Sequence, residues 1–277
     1  MKENAGFGEQ NVCDNDLREV RCVEDEGILT TDLTFRTSFN RRRAAYWVRP
    51  ETGSNLPAIL YLHWYEPEAC DSHRGQFLAE AQTMARRGVM SLLVETVWSD
   101  REWFIKRTQA DDLRTLSEQS AEVRQALDIL LDRPGVDPTR AALVGHDFGA
   151  MFGVLAGALD PRPTAYVLAA GTPRWADWFL YYPHIEGIER DEFITSMKPH
   201  DPIERVSDLS PAPILFQFAT EDPHVPRDRA LAFFEAAASA ELRWYEAGHG
   251  LNDRAKEDRI EWLSSLWALG NSASRSC

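Results

Sequence analysis

Three side chains in this sequence have the type and setting to act together on a substrate: Asp147, Asp222 and His249. Asp147 is the centre of Gly145-His146-Asp147-Phe148-Gly149, between the apolar run Ala141 to Val144 and the small, apolar segment Ala150 to Ala156. A strand, a sharp turn and a helix in that order make a nucleophile elbow. It holds its central residue in a strained conformation with the side chain standing above the sheet edge. Glycines two positions before and after that residue leave room for the turn. The usual centre is serine; here it is aspartate. A carboxylate is ionised at neutral pH and needs no base to activate it. It attacks amides and ordinary esters poorly, but it displaces a leaving group from a saturated carbon held in line. An imidazole oriented by a second acid can then take a proton from water. Asp222, in Ala219 to Pro226, and His249, in Glu246 to Leu251, each follow an apolar run and complete that set.

The elements that must position these residues follow from periodicity. Continuous apolar runs at 57–63, 89–94, 141–144, 164–170, 213–218 and 242–245 read as buried strands. Between them, 73–87, 111–132 and 227–238 carry helical spacing, and 257–269 closes the chain as a helix with Ile260, Leu263 and Trp267 on one face. Segments 31–37 and 43–48 alternate apolar and polar residues as an antiparallel hairpin. Strand–helix alternation from residue 57 onward implies an α/β fold with a mostly parallel twisted sheet and helices on both faces. The ligand site is then expected at the carboxyl ends of the strands. Residues 1–28 read as a polar N-terminal arm, 29–270 as one domain, and 271–277 as a flexible tail. Within the domain, 171–211 lacks clear periodicity and carries Trp175, Trp178, Phe179, Tyr181 and Tyr182, as a lid would.

Composition narrows the partners. The chain has 277 residues, 44% hydrophobic and 27% charged, with a formal net charge of −14. An acidic surface repels nucleic acid and anionic membranes, so both are excluded as main partners. The start of the chain is polar and lacks the apolar core of a signal peptide, and no run is long enough to span a bilayer. Of the four cysteines, Cys13, Cys22, Cys70 and Cys277, none forms a CxxC pair. They read as free thiols of a reducing compartment, with a Cys13–Cys22 bridge as the alternative, and the cytoplasm is the expected location. The expected partners are a small-molecule substrate and water, and a homodimer is compatible with this reading. No cofactor is implied. His73, His184, His200 and His224 show no ligand spacing, so no metal site is expected.

The order nucleophile, acid, histidine, each after a strand, resembles the α/β-hydrolase superfamily over about residues 30–269. Gly135-Val136-Asp137-Pro138-Thr139-Arg140 and Ala247-Gly248-His249-Gly250 are similar to the dienelactone-hydrolase-like branch. The elbow itself resembles epoxide hydrolases and haloalkane or haloacetate dehalogenases, which use the aspartate as nucleophile. This resemblance implies a covalent alkyl ester on Asp147 that water, activated by His249 and Asp222, hydrolyses. It implies an oxyanion hole of the Phe148 and Tyr65 backbone amides, although Trp64 stands where the family usually has glycine. For an epoxide, Tyr181 and Tyr182 are the candidate lid acids. For a halide, Trp175 and Trp178 are the candidate indole donors, and Phe148 stands where haloalkane dehalogenases commonly carry tryptophan. Trp64 and these lid aromatics are the expected substrate contacts, for an apolar or aromatic compound.

The favoured expectation is epoxide opening. The alternatives are dehalogenation, a dienelactone-hydrolase-like esterase or lactonase with Asp147 as base, and a binding homologue without catalysis. His63 reads as a brace for the oxyanion loop and His146 as a packing or backbone partner. Glu221 is an alternative acid, and Glu95 a weaker one.

Overall fold

The structure, a computed structural model, describes residues 16–69 and 71–269. Nine strands form one sheet in the order β1-β2-β3-β5-β4-β6-β7-β8-β9. β1 (Arg18–Asp25), β2 (Ile28–Arg36) and β3 (Arg42–Pro50) are antiparallel, and β3 joins the remainder antiparallel to β5 (Met90–Val94). From β5 onward the strands β4 (Leu56–Leu62), β6 (Val136–His146), β7 (Ala165–Ala169), β8 (Ile214–Ala219) and β9 (Ala240–Tyr245) pair in parallel.

Alternation along the central strands divides the core between the two faces. Leu60 and Leu62 of β4 and Leu143 of β6 face one side, with Val123 and Leu127 of α3 (Gln109–Leu131), Val154 of α4 (Phe148–Leu159) and Phe233 of α8 (Arg227–Glu235). Ile59 and Tyr61 of β4 and Val144 of β6 face the other, with Ala81 and Met84 of α1 (Leu78–Arg86) and Ile260 and Leu263 of α9 (Asp253–Leu266). Both faces of these strands are buried, which is why they read as unbroken apolar runs. The arrangement is the α/β-hydrolase fold.

Two segments differ from their expected form. The polar arm expected over 1–28 contains β1, whose residues are all exposed; with no face buried, it has no alternation to detect. Residues 1–15 lie outside the described residues, as do Cys13, Cys70, Cys277 and the tail expected at 271–277. Cys22 is an exposed free thiol. The lid expected over 171–211 is built of short helices: α5 (Ala176–Phe179), α6 (Gly187–Met197) and α7 (Pro202–Arg205). With α2 (Trp103–Lys106) it packs over Phe148 in a third apolar cluster of Trp98, Trp103, Phe152, Trp175, Phe179 and Phe193. α5 and α7 are four residues each, too short for a periodic stripe, and α6 buries only Phe193 and Met197. Among the described residues no helix is long and apolar enough to cross a membrane.

Candidate active site

The site begins with the backbone at the end of β6. Asp147 sits at φ 54°, ψ −117° between that strand and α4, a conformation that costs free energy outside glycine. The turn closes so tightly that a Cβ on Gly145 would lie 2.3 Å from the Gly149 carbonyl oxygen, and one on Gly149 only 2.1 Å from that of Leu62. Any side chain at either position would collide with backbone, so both glycines are required by space. The Asp147 amide is tied to the Ala169 carbonyl of β7 at 2.9 Å, which fixes the elbow to the sheet.

Asp147, Asp222 and His249 meet at the carboxyl end of the sheet. Asp222 follows β8, and its Oδ2 lies 2.8 Å from His249 Nδ1. Its other oxygen accepts the His224 and Val225 amides at 2.8 and 3.1 Å, a turn that holds the carboxylate in place. His249 Nε2 faces Asp147 Oδ1 at 3.9 Å, too far for a direct hydrogen bond. Both of these buried atoms are without a hydrogen-bond partner. The other Asp147 oxygen, Oδ2, accepts the Tyr65 amide at 3.4 Å. The neighbouring Phe148 amide also favours the ionised carboxylate. Thus both amides expected to form the oxyanion hole act on the aspartate itself, with the Tyr65 amide bonded to it.

Burial pushes the Asp147 pKa up to about 6, against the opposing effects of His249 and the two amides; the residue is 2% exposed. Burial alone would lift Asp222 too, but its His249 and amide bonds outweigh that and hold it below its ordinary value. His249 is disfavoured as a cation by burial, yet the Asp222 bond and the Asp147 and Asp222 charges raise its pKa overall. Glu221 is exposed and its amide serves the turn at Ala247, so Asp222 is the acid that reaches the imidazole. Glu95 is occupied by the Ala44 amide and Arg74.

The aromatic residues expected at the substrate divide. Trp64 lies parallel to the His249 ring, 5.5 Å away, and next to His146 at 4.8 Å. Its ring fits because Gly250 lacks a side chain: a Cβ there would lie 2.9 Å from the indole. Trp178 meets His249 edge-on at 5.8 Å and Phe148 at 5.6 Å. Trp175 does not reach the substrate side. It is fully buried against Phe152 and Phe179, and its indole N–H donates to the His200 carbonyl at 2.7 Å. Tyr181 lies beside Trp178 but is 59% exposed, and Tyr182 is 47% exposed, so both sit at the rim.

The histidines are where sequence reasoning placed least. His63 braces the oxyanion loop: its ring bonds the Trp64 carbonyl at 2.6 Å, Ser99 Oγ at 2.9 Å and Thr96 Oγ1 at 3.1 Å. Burial pushes its pKa down to about 3, so it stays neutral. His73, half-buried, lies beside Trp64 at 5.8 Å, and His224, exposed, lies beside His249 at 5.2 Å. No periodic pattern marks a loop residue that folds back on a site. Among the described residues, no group of histidine, cysteine and acidic side chains is arranged to hold a metal ion.

Residues 100–266, more than half of the 277-residue chain, match the sequence model of the dienelactone hydrolase family. No curated protein sequence matches the chain significantly. Solved structures do. An acetyl xylan esterase from Paenibacillus sp. R4 superposes with a TM-score of 0.75 at 17% identity, over 91% of this chain and 89% of that one. Acetyl xylan esterase 1 from Thermoanaerobacterium sp. JW/SL YS485 gives 0.71 at 13% identity, over 92% and 89%. A cold-adapted esterase from an Arctic intertidal metagenomic library gives 0.61 at 14%, over 88% and 96%. At these identities the likeness is one of fold.

Proposed function

This chain belongs to the dienelactone hydrolase family, and within that hydrolase frame we propose, from the residue at its elbow, that it uses Asp147 as a nucleophile on saturated carbon. The observation that carries the reading is the division of labour within one carboxylate. Oδ2 accepts the Tyr65 amide, while Oδ1 is bare and faces the imidazole. In the first step Oδ1 attacks carbon, the carbon–leaving-group bond breaks, and an alkyl ester forms on Asp147. In the second, His249 takes a proton from water and the hydroxide adds to the ester carbonyl carbon. Negative charge then develops on Oδ2, which already accepts the Tyr65 amide. Collapse breaks the bond from the carbonyl carbon to the alkyl oxygen, and protonated His249 returns its proton to that oxygen to release the alcohol. The carboxylic acid left on Asp147 loses its proton to solvent to restore the carboxylate. Esterification also removes the Asp147 charge that helps keep His249 protonated, so the base is freed when it is needed.

An epoxide of an apolar or aromatic compound is the substrate we favour, with Tyr181 or Tyr182 supplying the proton for the opened oxygen. Their exposed position requires the lid to close on the substrate. The buried, unpartnered indole N–H groups of Trp64 and Trp178 favour dehalogenation as the next candidate within this mechanism. A second reading, an esterase or lactonase with Asp147 as base, is favoured by the family and by the esterase folds. It requires a substrate carbonyl to displace Oδ2 from the Tyr65 amide, and for that reason we rank it second.

A single turnover of styrene oxide in heavy-oxygen water separates these readings. Nucleophilic Asp147 places the label in the enzyme and leaves the first diol unlabelled; label in the first product rejects the proposal. His249→Gln should trap the ester as a mass gain on the peptide holding Asp147. Hydrolysis of 4-nitrophenyl acetate that is lost in both Asp147→Asn and His249→Ala, with no ester trapped in His249→Gln, would favour the esterase.

A further inference from the structure

Gln76 has no place in the steps above, yet it joins the two halves of the site. Its Oε1 accepts the Trp64 amide at 2.9 Å. A backbone N–H only donates, so this contact fixes which end of the side-chain amide is oxygen. The Nε2 end then donates to His146 Nδ1 at 2.7 Å. On the far side of that ring, His146 Nε2 lies 2.9 Å from the His249 carbonyl oxygen. A carbonyl only accepts, so Nε2 carries the proton and Nδ1 the lone pair that Gln76 requires. One continuous chain of hydrogen bonds therefore runs from the oxyanion loop to the histidine loop. Arg74, two residues before Gln76, is anchored to Asp32 and Glu95 and holds this segment to the sheet.

We propose that Gln76 is a positioning residue: through the Trp64 amide it aims the neighbouring Tyr65 amide at Asp147, and through His146 it sets the His249 backbone. His146 is its relay and acts as a fixed neutral tautomer. The catalytic consequence rests on the nucleophilic reading of Asp147, because only the second step of that reaction needs the Tyr65 amide on a developing charge. Loss of Gln76 should slow ester hydrolysis more than ester formation.

The test uses two variants of the full chain. Gln76→Met keeps the length and removes both bonds. Gln76→Glu keeps the acceptor for Trp64 but cannot donate to His146. Imidazole nitrogen NMR should find His146 protonated on Nε2 alone in the parent and on both nitrogens in Gln76→Glu, since the His249 carbonyl still needs a donor. A parent proton on Nδ1, or none gained there in Gln76→Glu, overturns the assignment. Carboxyl NMR should find the Asp147 titration midpoint raised in Gln76→Met and close to the parent in Gln76→Glu; an unmoved midpoint in Gln76→Met also overturns it. With styrene oxide as probe, ester formation in Gln76→Met should stay within about threefold of the parent while ester loss slows at least about tenfold. Equal rates for both steps in parent and variant reject the positioning role. If His249→Gln traps no ester, the nucleophilic reading fails instead, and the two NMR measurements still decide the role of Gln76.

Discussion

Asp147 is ionised only against the cost of its burial, which lifts its pKa to about 6 from 3.8. Two predictions belong to this residue. First, kcat/KM should rise with pH through about 6 and then level off, because only the carboxylate attacks. A profile flat from pH 5 to 8 would contradict that. Second, the same shift acts on stability. The unfolded chain releases this proton near 3.8 and the folded chain near 6, so stability is lost as pH rises between them and the full penalty remains above. At 1.36 kcal/mol per unit the penalty is about 3 kcal/mol at neutral pH. Asp147→Asn should therefore abolish turnover yet raise the unfolding free energy by roughly this amount near pH 8, and by only about 1 kcal/mol near pH 4.5. Denaturant unfolding at the two pH values measures it; an Asn variant less stable at pH 8 would show that the carboxylate is not strained by burial.

At the scale of elements, the elbow and the two loops facing it are set by clearances. Gly149→Ala places a Cβ 2.1 Å from backbone oxygen, so the elbow cannot close, and a loss of about 3 kcal/mol or more is expected, read as poor soluble yield or an early denaturant midpoint. Gly250→Ala is milder. Its Cβ meets the far edge of Trp64 at 2.9 Å, and an indole can tilt where backbone cannot. Stability should fall by only ~1 kcal/mol, while turnover falls about tenfold or more, because Trp64 carries the oxyanion loop on its backbone. Equal turnover in Gly250→Ala and the parent would show that the Trp64 stack is not needed. Trp64 itself, where the resembled families have glycine, is accommodated by this gap.

At the scale of the whole molecule, the lid is tied to the body by a buried arginine that an ion pair holds in place. Arg107, at the end of α2, bonds Asp112 of α3 at 2.6 Å and donates to the Phe179 and Tyr182 carbonyls of the lid. Both charged side chains are almost wholly buried. Arg107→Met leaves Asp112 buried and unpaired and frees the lid, so a loss of about 3 kcal/mol is expected, together with a raised KM. Denaturant titration and steady-state kinetics check the two effects; unchanged values of both would remove the lid from the mechanism.

Much of this arrangement was legible in the chain itself. Apolar runs, the paired glycines of the elbow and the order Asp147, Asp222, His249 are local or linear properties, and they were enough to indicate the parallel sheet and the three side chains that meet at its edge. What could not be read were relations between segments distant in sequence. β1 buries no face, so no alternation announced it. Trp175 and Trp178 looked equivalent, but one is core and the other faces the imidazole: Trp175 stands at the N-cap of α5 with its indole held by the His200 carbonyl, while Trp178, within the same helix, lies against His249. Gln76 and His146 are 70 residues apart, and neither has a pattern of its own. Only packing brought them together, since hydrogen-bond partners across a fold are chosen by where the backbone carries them.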